Sequence, residues 1–109
     1  MFNELMTMRC SIIKMKSGGY GDREIVSTTT LVPCFYEDGI FDKTMADGQK
    51  VTFSGCLYLK ANAPLDINYT NYDFTITSPE TITGLQAHII NTDRDPNTGK
   101  IHHYEVWLK

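Results

Sequence analysis

The sequence predicts an all-β chain. It should form a small antiparallel β-barrel or sandwich of about six to seven short strands, with long loops and at most one short helical turn. Three observations lead there. Runs rich in β-branched and aromatic residues recur along the chain, and such residues suit a pleated, half-buried surface. Gly, Pro and Asn clusters separate those runs at the spacing of turns. Finally, no stretch carries the 3.6-residue apolar period over the length of an ordinary helix.

The elements follow in order. The stretch 9–16 (RCSIIKMK) opens the set, with Ile12, Ile13 and Met15 among basic residues, and SGGYGD (17–22) supplies the glycines of a turn. The second run, 23–37, is REIVSTTTLVPCFYE; Pro33 cannot donate to a ladder and so marks an edge or a bulge within it. Residues 38–50 (DGIFDKTMADGQK) read as a loop, with a helical turn starting at Asp42 as the one candidate for helix. In 50–61 the pattern alternates, with Val51, Phe53, Leu57 and Leu59 on one face and Thr52, Ser54, Tyr58 and Lys60 on the other. A second loop covers 62–72, a short strand 73–78 and a turn 79–84. The stretches LQAHIINT (85–92) and KIHHYEVWLK (100–109) then pair across DRDPNTG.

The 109 residues suit one domain, 1–109, large enough for its own core. Net charge is −3, which disfavours nucleic acid as a tightly held ligand, since phosphate binding needs clustered Lys and Arg. The deficit lies in the second half: residues 1–60 carry seven basic and seven acidic side chains, residues 61–109 three and six. Cys10, Cys34 and Cys56 are odd in number and lack CxxC spacing, so they read as reduced core thiols of a protein made in a reducing cytoplasm. Neither a signal peptide nor an apolar run of membrane-spanning length is expected.

The densest chemistry is in 93–105, DRDPNTGKIHHYE. Asp93, Asp95 and Asn97 resemble the first oxygens of an EF-hand loop, but Thr98 stands where that loop needs glycine and Tyr104 where it needs glutamate. A hairpin turn explains the same residues, with Pro96 fixing φ and Gly99 or Asn97 supplying a positive φ. His102 and His103 are neighbours, so on a regular strand they point to opposite faces and one metal takes both only at a bulge. His88 could join one of them, but no third ligand is specified, and satisfied histidines on a sheet are the simpler reading. No metal, cofactor or catalytic residue is therefore expected. On the last strand His102, Tyr104, Val106 and Leu108 would share one face, and Ile101, His103, Glu105 and Trp107 the other.

The C-terminal pattern G-x-I-H-H-Y-E-V-x-L is carried by Gly99, Ile101, His102, His103, Tyr104, Glu105, Val106 and Leu108. It resembles the end of the head-closure (stopper) and minor capsid proteins of long-tailed bacteriophages and prophages. The earlier YGD at 20–22 and the middle order of strand, loop, strand are similar to that family too. The resemblance implies a non-enzymatic virion protein, assembled in the host cytoplasm, without cofactor. It would form a homo-oligomeric ring in the head–tail connector, with a portal or adaptor protein above and tail proteins below. DNA would pass through its channel without specific binding, a role suited to the acidic second half. Of the apolar side chains in the two expected loops, Phe41, Met45, Tyr69 and Tyr72, together with Trp107, are candidates for the oligomer or partner interface, being of the types enriched at anchors; the alternative is that they pack back on their own barrel. Two alternatives accompany this reading: a barrel that holds a small ligand in its interior, and another neck component such as a tail terminator.

Overall fold

The computed structural model describes residues 6–18, 22–69 and 71–108. Tyr20 and Gly21 of the YGD motif, and with them residues 19–21 of the expected glycine turn at 17–22, lie outside the described residues. Among the described residues there are six strands: β1 (Met8–Ser17), β2 (Arg23–Thr44), β3 (Lys50–Lys60), β4 (Tyr72–Ser78), β5 (Ile82–Arg94) and β6 (Ile101–Leu108). Every pairing is antiparallel, and the order β1-β2-β3-β6-β5-β4 closes on itself through β4 and β1 as a barrel. The described residues contain no helix.

One strand accounts for most of the difference from the expected layout. Residues 38–44 are not loop: β2 runs 22 residues, through Asp38 to Thr44. Its first half pairs with β1, from Arg23 opposite Ser17 to Cys34 opposite Met8, and its second half pairs with β3, from Cys34 opposite Leu59 to Thr44 opposite Lys50. Cys34 is the hand-over point, and Pro33 immediately before it stands where the strand changes partners, a position that tolerates a missing N–H. The Asp and Gly of DGIFDKT, read as loop formers, instead make a bulge between Asp38 and Phe41, where Gly39 takes φ 147°. The tip at 45–49 is a tight turn, with Met45 N–H donating to the Gln49 carbonyl (2.7 Å), Gly48 N–H to the Met45 carbonyl (2.9 Å) and Gly48 at φ 86°. The segment expected to start a helix at Asp42 is thus strand and turn.

β5 also begins earlier than expected, since Ile82–Gly84 belong to it, and β4 begins at Tyr72.

One cluster drawn from all six strands fills the barrel. It includes Cys10 and Ile12, Val32 and Cys34, Leu57 and Leu59, Tyr72, Phe74 and Ile76, Leu85 and Ile90, and Tyr104, Val106 and Leu108. Six strands enclose little more than the volume their inward side chains occupy. At roughly 1.5–3 kcal/mol for each large apolar side chain taken from water, this interior is the main stabilising term. Phe74, Leu57 and Val106 are among its fully buried side chains.

A second, smaller cluster joins Phe53, Cys56 and Trp107 with half-buried Phe41, Val51, Tyr58 and Ile89. Cys56, Trp107 and Ile89 are lateral partners across β3, β6 and β5. They lie one residue out of phase with the inward row Leu57, Val106 and Ile90, and so face outward. The extended β2–β3 hairpin folds over them: Phe41 meets the Trp107 ring edge-on at 5.5 Å, Phe53 lies 5.6 Å from it, and Lys43 Nζ sits 4.1 Å over it. Gly55 is at the root of this arm, where a Cβ would come within 2.8 Å of the Tyr36 ring and 3.1 Å of the Glu37 carbonyl.

Candidate functional site

The C-terminal motif forms β6, and a bulge decides where its side chains go. Asp93 stands opposite His103, yet Arg94 stands opposite Ile101, so His102 is the extra residue on β6. A bulge of this kind puts two residues where the partner strand has one. Ile101 therefore joins Tyr104, Val106 and Leu108 on the inner side, while both histidines lie outside with Glu105 and Trp107. The expectation that His102 and His103 occupy opposite faces is corrected: Nδ1 of one lies 2.8 Å from Nδ1 of the other, with the rings T-shaped at a centroid distance of 5.1 Å.

The preceding turn is closed by backbone hydrogen bonds. Asp95 N–H donates to the Lys100 carbonyl (2.9 Å), and Gly99 N–H donates to the Asp95 carbonyl (2.8 Å). The Asp95 carboxylate accepts from Asn97 N–H (2.8 Å), and Gly99 supplies the positive φ of 72°. Asp95 and Asn97 are occupied in building the turn, as the turn reading of DRDPNTG requires. Asp93 is not part of it. Its Oδ2 lies 3.4 Å from His103 Nδ1.

His103 is buried at 7% exposure and is held from two sides. Its Nε2 lies 3.4 Å from Glu105 Oε1, and the Tyr58 ring packs at a centroid distance of 6.1 Å. Lys60 is its lateral neighbour on β3. Asp93, His102 and His103 thus offer three ligand atoms within 4.8 Å of one another. The pairing of His88 with one of these histidines, considered from sequence, does not form. His88 sits at another bulge, between Ala87 and Ile89, packed 5.6 Å from Phe53, and its five-residue distance from Asp93 along β5 is roughly 16 Å.

The thiols are placed as core groups. All three are free and buried. The hydrogen bond with Cys34, together with burial, pushes the Cys10 thiol up and keeps it protonated. Cys56 is pushed up to about 11, chiefly by burial. Burial likewise raises Tyr58, with Cys56 and the nearby Glu37 and Glu105 adding to the effect.

The candidate interface residues divide. Tyr72 is 2% exposed, with its hydroxyl accepting from Asp66 N–H (2.9 Å). Trp107 is 9% exposed beneath the hairpin arm. Both are enclosed by their own chain and present no surface to a partner. Phe41 is half-buried against Trp107. Met45, also half-buried, lines a solvent-open hollow of about 430 Å³ with Ile89 and Asn91. Half-buried Tyr69 packs edge-on to Tyr72 at 5.5 Å, with Lys14 Nζ 4.6 Å from its centroid.

Exposed large apolar side chains lie mostly on β2, at Ile25 (63%), Val26 (51%), Leu31 (73%) and Ile40 (84%), with Ile67 (42%) in the loop before β4. Every residue from Arg23 to Leu31 is exposed. Among the described residues no strand pairs with this half of β2 on the side away from β1. A second bulge lies here, since Cys10 faces Val32 and Ile12 faces Thr29, and within it Leu31 takes φ 56°. The sequence signal for this surface was present in REIVSTTTL, whose apolar residues do not alternate. Arg23 anchors the base of the segment through two contacts to the Asp73 carboxylate (2.9 and 3.1 Å) and through the Asn71 side-chain oxygen.

No protein-family model, curated protein or solved structure matches this chain.

Proposed function

We propose that the chain is a structural protein of the phage neck, forming a homo-oligomeric ring at the junction where the DNA-filled head is closed and the tail docks. The observation that carries this reading is the open half of β2, Arg23–Val32. Among the described residues it presents an unpaired strand edge together with Ile25, Val26 and Leu31. An edge of this kind invites strand addition from a neighbouring chain unless it is covered, and a repeated head-to-tail contact of one patch with a different patch closes rings. A side-chain-filled barrel provides a rigid block for such a ring, and the C-terminal motif adds the family resemblance. The interface thereby moves from the enclosed Tyr72 and Trp107 to the β2 edge and the hairpin tip around Met45. Portal or adaptor rings above and tail proteins below are the partners of this reading.

Sedimentation velocity tests it, on the purified chain alone and mixed with portal–adaptor rings from the same particles. A discrete oligomer, or co-sedimentation with the portal rings, is the expected result. A chain that stays monomeric in both conditions refutes it. A ring that joins isolated tails and ignores portal complexes replaces head closure with tail termination.

A further inference from the structure

We propose that Asp93, His102 and His103 form a binding site for one divalent transition-metal ion of the zinc type, on the outer face of β5 and β6. The inference is independent of the neck reading. Its first support is the bulge, which places consecutive histidines on the same side of a strand and brings their Nδ1 atoms to 2.8 Å. Its second is the carboxylate that completes the set, Asp93 Oδ2 at 3.4 Å from His103 Nδ1. All three ligand atoms fall within 4.8 Å, a spread that one ion can span at metal–nitrogen and metal–oxygen distances of about 2.0–2.2 Å.

His103 is oriented for this task. Glu105 holds its far nitrogen at 3.4 Å, so that Nδ1 faces His102 and Asp93. A carboxylate on the non-ligating nitrogen of a metal-bound histidine fixes its tautomer and raises its basicity. Without an ion, one of the two facing Nδ1 atoms must carry the proton that the other accepts, and a metal ion would take the place of that shared proton. A tetrahedral centre needs the two nitrogens about 3.3 Å apart. The change is a few tenths of an ångström, and exposed His102, at the bulge, is the ring that would make it. Two imidazoles and one carboxylate select zinc-class ions over calcium or magnesium, which prefer all-oxygen sites. Asp93 and His102 are both exposed, leaving the fourth position to solvent. Lys60 stands beside His103 on β3, and the carboxylates Asp93 and Glu105 flank the same histidine.

Cobalt(II) titration of the purified chain tests the site. The expected result is saturable uptake of one ion per chain, with the visible bands of tetrahedral nitrogen–oxygen coordination and without the intense near-ultraviolet band of a thiolate ligand. Zinc should displace the cobalt. His102→Gln and Asp93→Asn change exposed positions and should keep the fold by far-ultraviolet circular dichroism while abolishing uptake. Glu105→Gln should weaken it roughly tenfold or more. His103→Ala removes a buried ring, so nitrogen-15 imidazole spectra of the unsubstituted chain provide a second readout, in which zinc shifts His102 and His103 and leaves His88 in place. A chain that takes up no stoichiometric ion, variants that bind as well as the parent, or a thiolate band would each overturn the proposal.

Discussion

Removing the Phe41 ring should loosen the β2–β3 arm from the barrel, and the cost can be worked from its contacts. Phe41 is half-buried and meets Trp107 edge-on at 5.5 Å. A fully buried Phe→Ala change costs about 3–5 kcal/mol, so half burial scales Phe41→Ala to about 2 kcal/mol. Trp107, at 9% exposure, is nearly enclosed, which puts Trp107→Ala at about 3–4 kcal/mol. Part of that loss is offset because the substitution also removes Nε1, a buried donor with no partner. The two rings share one contact, and an edge-to-face pair contributes about 0.5–1.5 kcal/mol beyond its area. The double variant should therefore lose about 1 kcal/mol less than the sum of the single ones. Urea unfolding followed by far-ultraviolet circular dichroism measures all four corners of the cycle. Trp107 is the only tryptophan, so its fluorescence in Phe41→Ala reports the arm directly, by a red shift and stronger acrylamide quenching. Strict additivity, with unchanged emission in Phe41→Ala, would refute the docking of the arm on Trp107.

Three further outcomes are expected. Leu31→Gly should raise monomer stability by about 1 kcal/mol, because an L-residue in the left-handed region carries roughly 1–2 kcal/mol of strain and the 73%-exposed side chain forfeits little packing; thermal unfolding with no gain would contradict this. Cys56 is raised to about 11 from 9.0, so the folded state binds the thiol proton more tightly than the unfolded chain does. Its contribution is complete below pH 9 and is lost between pH 9 and 11, amounting to about 2–3 kcal/mol. Cys56→Ala should flatten that part of the stability–pH profile measured by urea titration, and an unchanged slope would be inconsistent with the burial of Cys56. Val26→Lys and Ile25→Lys should leave stability within about 0.5 kcal/mol, as exposed substitutions do, yet disrupt any oligomer detected by sedimentation, since an edge lysine blocks strand addition.

Residues 50–61, 73–78 and 100–109 were legible as strands, but the expected sharing of one face by Val51, Phe53, Leu57 and Leu59 does not hold: Val51 and Phe53 pack with Cys56 and Tyr58 in the outer cluster, and Leu57 and Leu59 lie in the barrel. Bulges were not legible, because two residues facing one leave no mark in hydropathy. That single feature explains three of the differences. At Asp38–Phe41 it converted an expected loop into strand. At Leu31 it turned a stretch with no clear period into an exposed edge. At His102 it reversed the facing of Ile101 and His102 and brought the two histidines together. Tyr72 and Trp107 were recognisable as large anchors, but what they anchor is the barrel and its arm. Tyr72 packs with Phe74 of its own strand, whereas Phe41, the partner of Trp107, comes from a segment whose approach depends on topology and not on local sequence.

The most direct test of the neck assignment is to locate the protein in the particle. Antibody raised against the chain, coupled to gold and applied to phage particles from an induced lysate of the source strain, can be read in the electron microscope. Gold at the junction of head and tail is the predicted result. Particles without label, with the protein recovered only from the soluble fraction, would contradict the assignment.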